Sequence, residues 1–140
     1  MSGKIFKTST GSMHFALLII RVGFGIIFMF HGWPKITGGV ETWTWLGGAM
    51  GNIGLGFAPA FWGFLAAIAE FIGGLFLILG LLTRPFAAMM LFTMIMATIM
   101  HVANGDPQST ILHTTKGIAV FTGFLFSGAG KYSIDNMLAR

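Results

Sequence analysis

Four long apolar runs, at positions 14–31, 58–82, 86–103 and 111–127, restrict this chain more than any other feature, because each is close to the ~20 residues a helix needs to cross a bilayer. Lipid offers no partner for a backbone N–H or C=O, so a spanning segment must satisfy its own hydrogen bonds. Continuous apolar runs of this length do so as helices, whereas barrel strands are ~10 residues long and alternate in polarity. The sequence therefore predicts an all-α integral membrane protein, a single domain over residues 1–140 folded as a transmembrane four-helix bundle. Only 9% of the residues are charged, against about a quarter in a soluble domain, so most of the surface must face lipid.

The few charges set an orientation. The net charge is +4, but the basic residues sit at the ends of apolar runs and not on one face, which excludes nucleic acid as a partner. With an even number of spans, Lys4, Lys7, Arg84, Lys131 and Arg140 fall on one side and Lys35 alone in the loops of the other. The positive-inside rule then puts both termini in the cytoplasm. Arg21 interrupts the first run and no small-residue cleavage pattern precedes His31, so that run is read as a retained helix and not a signal peptide. The chain has no cysteine, so any thiol chemistry must belong to a partner.

Prolines and glycines punctuate the connectors. Pro34 follows the first run, Pro59 sits at the first turn of the second, and Asn104-Gly105-Asp106-Pro107 makes a turn before the fourth. Thr83-Arg84-Pro85 is so short a link that the helices it joins must be antiparallel neighbours. The connector at 32–57 is long, Gly-rich and apolar, with Trp43 and Trp45 close together. It is expected as an outer loop lying in the membrane interface on its tryptophans, with a lid over a site between the helices as the alternative.

Arg21, Glu70 and Lys116 lie inside predicted spans, where an ionisable group costs several kcal/mol unless paired or hydrated. At 100° per residue, Gly63, Ala66, Ala67, Gly73 and Gly74 share a face with Glu70, which turns that carboxylate into the bundle. Arg21 or Lys116 is the expected partner. His31, His101 and His113 fall near the outer helix ends with Lys35 and Lys116, forming the best candidate site. Glu70, His31 and Lys116 are the candidate catalytic groups, and Arg21, Lys35, His101 and His113 the candidate substrate-binding groups. Imidazole suits a metal or haem, but no HxxxH spacing occurs and no metal is assigned. Met89, Met90, Met94, Met96 and Met100 read as packing.

The stretch Arg21-Val-Gly-Phe-Gly-Ile-Ile-Phe-Met-Phe-His31-Gly32-Trp-Pro-Lys35 is followed by Ala69-Glu70-Phe71-Ile-Gly73-Gly74 and Leu79-Gly80-Leu-Leu-Thr83-Arg84. Together they resemble the DoxX family over nearly the whole chain. The resemblance implies a four-helix protein of the bacterial inner membrane. It also implies kinship with the small subunits of thiosulfate:quinone oxidoreductases and with membrane components of redox-stress complexes. The functional expectation is a membrane subunit of a quinone-linked oxidoreductase, holding a quinone or small anion between its helices beside redox partner proteins. The alternatives are a non-enzymatic assembly module and a small-molecule permease formed as a homo-oligomer.

Overall fold

The computed structural model describes residues 8–140, so Lys4 and Lys7 of the charge bias lie outside the described residues. The described residues fold as α1 (Thr10–Thr37), α2 (Gly39–Gly47), a 3-10 helix (Gly48–Ile53), α3 (Pro59–Leu79), α4 (Thr83–Asn104), α5 (Gln108–Ser127) and α6 (Ile134–Leu138), with no strand among them. Helices α1, α3 and α4 are long and apolar enough to cross a membrane. Helix α5 has 20 residues, but Gln108, His113, Lys116 and its threonines dilute its apolar character.

Small residues decide how the helices meet. A Cβ on Gly25 would stand 2.6 Å from the Gly74 carbonyl oxygen, and one on Gly74 would stand 2.7 Å from that of Gly25. Two glycines thus let the backbones of α1 and α3 touch, the close approach by which helices associate in lipid without a hydrophobic drive. Higher up, Gly32 lies against the Phe71 backbone. The buried residues of α3 include Gly63, Ala67, Glu70, Gly73 and Gly74, the small-residue face read from its periodicity. Packing continues from α3 to α4 and from α4 to α5. Helices α1 and α5 meet through large side chains, with Phe28 edge-on to Phe121 at a centroid separation of 4.8 Å. The core comprises Phe28, Leu77, Ala87, Met90, Met94, Phe121 and Phe124.

The connector expected as a loop at 32–57 is largely helical. Helix α1 runs on through Pro34 to Thr37, and α2 and the 3-10 helix occupy most of the rest. Gly32 and Gly47 of this connector are contact points with α3. Gly63 of α3 meets the Trp43 backbone and Gly47 of α2 meets the Pro59 carbonyl, so the backbones of α2 and α3 touch at these glycines. Trp43 stacks edge-on against Phe64 at 4.8 Å, and its indole N–H donates to the Lys35 carbonyl at 2.9 Å. Those contacts replace the hydration an open loop would need.

At the opposite end, where α1 begins and α5 ends, α3 turns into α4 through Gly80-Leu81-Leu82. Leu82 takes a left-handed conformation, φ 48°, that costs a side-chain-bearing residue about 1–2 kcal/mol. Asp135 holds the turn. Its Oδ1 accepts from Leu82 N–H at 2.7 Å, its Oδ2 accepts from Thr83 N–H at 2.9 Å, and its own N–H donates to the Gly80 carbonyl at 2.8 Å. Burial opposes ionisation of this carboxyl, but the Thr83 and Leu82 donors and the Arg21 charge outweigh it and hold its pKa below the ordinary value.

Candidate functional site

Glu70 is 2% exposed and pairs with Lys35, whose ammonium lies 2.6 Å from both carboxylate oxygens. This corrects the expected pairing with Arg21 or Lys116. Because α1 is continuous past Pro34, Lys35 is a helical residue and not a loop residue, and the Gly32–Phe71 contact brings its turn against Glu70. Two bonds from one ammonium give both oxygens of the buried carboxyl group a partner.

Arg21 is 1% exposed and works at the other end of α1. Its guanidinium donates to the carbonyls of Ala129 and Tyr132, each at 2.7 Å, and so ties α1 to the segment after α5. It is remote in role from Glu70. Lys116 lies on the exposed face of α5, eight residues from Gln108 and so ~12 Å along the helix. It makes no hydrogen bond or ion pair among the described residues.

The three histidines divide. His31 and His113 face each other across the α1–α5 seam, ring centroids 5.5 Å apart. His101 turns to its own helix end, where its Nδ1 hydrogen-bonds with Asp106 Oδ2 at 2.6 Å. Among the described residues no group of three His, Asp or Glu is placed to hold a metal.

An apolar cavity of about 210 Å³ lies between α2 with the 3-10 helix, α3 and α4. Its walls include Met50, Trp62, Ala66, Ala69, Met96 and Met100. Met89 and Phe92 also line it while lying on the exposed face of α4, so the cavity opens sideways toward lipid. Trp62 brings a buried indole N–H that has no partner, a hydrogen bond left unmade in an apolar surrounding. Sequence reasoning missed Trp62, as it missed Asp135. A tryptophan near the start of an apolar run reads as an interface anchor, whereas in the fold Trp62 packs against Ala49 and Met50 of the 3-10 helix and Met96 of α4. Neither Glu70 nor any of the three histidines lines this cavity.

The Gly25–Gly74 crossing and the buried Lys35–Glu70 pair both fall within residues 16–103, which match the family model described as DoxX. The chain belongs to the DoxX family. This DoxX protein is a multi-pass membrane protein. It is 33% identical to "Inner membrane protein YqjF" of Escherichia coli (strain K12) over 128 residues, 89% of this chain and 92% of that protein. It is 36% identical to "Putative oxidoreductase CatD" of Bacillus subtilis (strain 168) over 88 residues, 63% of this chain and 60% of the relative. No solved structure matches the chain significantly.

Proposed function

We propose that this DoxX protein is a four-span, single-domain subunit of a quinone-linked redox system. It resides in the bacterial inner membrane with both termini in the cytoplasm. The name of YqjF supports the location, and the name of CatD supports a redox role. The observation that carries the reading is the lipid-facing apolar cavity with the orphan Trp62 N–H. A flat ring bearing carbonyl oxygens is dissolved in the bilayer, enters from the side, packs against methionine and alanine walls, and accepts the one hydrogen bond the cavity leaves unmade.

Quinone reduction takes up two electrons and two protons. With no cysteine in the chain, a partner protein delivers the electrons. Ala66 and Ala69 of the cavity wall flank Glu70 on α3, so the Lys35–Glu70 pair is the ionisable group beside the cavity. His31 and His113 supply a second polar seam between α1 and α5 for proton exchange.

The test is equilibrium binding of a short-chain ubiquinone to the purified protein in nanodiscs. Trp62→Phe removes one hydrogen bond and weakens binding about fivefold to tenfold. Ala97→Leu, which fills the cavity from α4, abolishes it. A wild-type protein that binds no quinone, or variants that bind as well as wild type, would sink the redox reading.

Lys116 favours a second reading, an assembly module. An unpaired cation on the exposed face of a membrane helix invites a partner helix carrying a carboxylate at the same depth. Loss of a native complex on Lys116→Leu, with quinone binding intact, would distinguish it.

A further inference from the structure

The end of the bundle where α1 begins and α5 ends holds a larger and chemically different cavity, about 730 Å³, lined among others by His14, Thr83, Arg84, Lys131, Asp135 and Arg140. We propose that it binds a phosphate-type anion, the headgroup of an anionic phospholipid or free phosphate.

Its chemistry is one-sided. Arg84, Lys131 and Arg140 contribute three full positive charges against the single carboxylate of Asp135. That carboxylate accepts Leu82 N–H on one oxygen and Thr83 N–H on the other, and no lysine or arginine side chain bonds to it among the described residues. The Lys131 and Arg140 side chains make no hydrogen bond among the described residues. Arg84 gives only a long 3.3 Å bond to the Phe126 carbonyl. His14 adds a donor for a definite reason. Its Nδ1 accepts from the Lys131 backbone N–H at 3.2 Å, so a neutral ring carries its proton on Nε2. Thr83 lines the same cavity and is 1% exposed, and its hydroxyl has no partner.

The cavity is therefore rich in donors and short of acceptors. Cations held around one space repel each other unless an anion sits between them, and a phosphate offers several acceptor oxygens to a guanidinium fork and an ammonium together. The location matches that chemistry, because the cavity lies where α3, α4 and α5 begin or end, the level at which phospholipid headgroups meet a spanning bundle. The site stands whichever side of the membrane this end faces and whether or not the other cavity takes a quinone.

The full chain, purified in mild detergent and mixed with phosphatidylglycerol and phosphatidylcholine, is read by native mass spectrometry. Wild type is expected to retain phosphatidylglycerol preferentially. Lys131→Gln with Arg140→Gln, both exposed and without side-chain bonds to lose, is expected to cut that preference at least tenfold. Lys116→Gln removes a charge elsewhere and is expected to change it less than twofold. Displacement of the lipid by inorganic phosphate supports the site with free phosphate as its source, and persistence of the lipid supports it with the headgroup as its source. Absence of any preference in wild type, or a loss in Lys116→Gln as large as in the double variant, overturns the site.

Discussion

Lys35 places its ammonium 2.6 Å from each carboxylate oxygen of Glu70, joining the last turns of α1 to the middle of α3. The two ends differ in burial, with the Glu70 side chain 2% exposed and that of Lys35 31%. Lys35 is also held through its carbonyl by the Trp43 indole, so a single residue links α1, α2 and α3.

Breaking this pair from either side leaves a charge without its partner. Lys35→Met strands the fully buried carboxylate and Glu70→Gln strands the half-buried ammonium. Lys35→Met is therefore expected to cost more, on the order of 3 kcal/mol against about 1–2 kcal/mol for Glu70→Gln. The double variant removes both charges and recovers part of the loss. Thermal unfolding in detergent of all four proteins gives the coupling directly, and strictly additive losses would mean that the two residues do not pair.

The Gly25–Gly74 crossing admits no side chain. Gly74→Val forces α1 away from α3 and is expected to cost about 3 kcal/mol or more, because the obstructing atoms are backbone. Gly23, two residues before Gly25 on α1, has open space where a Cβ would go. Gly23→Ala should raise stability by about 0.5–1 kcal/mol through helix propensity alone. Yield and melting temperature of the two variants check both signs.

Asp135 makes the strained Leu82 turn sensitive to acid. Its pKa is held below the ordinary 3.8, so the folded state prefers the carboxylate. The stabilisation is full at neutral pH, begins to fall as pH drops through about 4, and is lost below the folded pKa. Asp135→Ala deletes both bonds to the turn and is expected to cost about 1–2 kcal/mol at pH 7. Its melting temperature should fall less steeply than wild type between pH 5 and pH 3, and parallel curves would contradict the assignment.

Reporter fusions test the orientation. A fusion after Arg84 is expected to report cytoplasm and one at Asp106 the outside, since Arg84, Lys131 and Arg140 gather at one end and Lys35 at the other. The reverse pattern would invert the proposed topology while leaving the helix contacts untouched.

Apolar runs near the length of a bilayer crossing are a local property, so the helical class and the membrane setting could be read directly along the chain. The inward face of α3 was equally legible, because Gly63, Ala67, Gly73 and Gly74 recur at helical spacing around Glu70. What answers that face is not local. Lys35 lies 35 residues from Glu70 and Asp135 lies 53 residues from Leu82. Those pairings depend on where whole helices cross, which glycines set by permitting backbone contact at Gly25–Gly74 and Gly47–Pro59. Gly47 is one of the glycines that made 32–57 look like loop, since a residue without a side chain marks both a flexible turn and a close approach. Only the packing of α2 on α3 distinguishes the two, and with it the buried Trp62 N–H and the cavity beside it, because a void and an orphan donor exist only once the surrounding elements are in place.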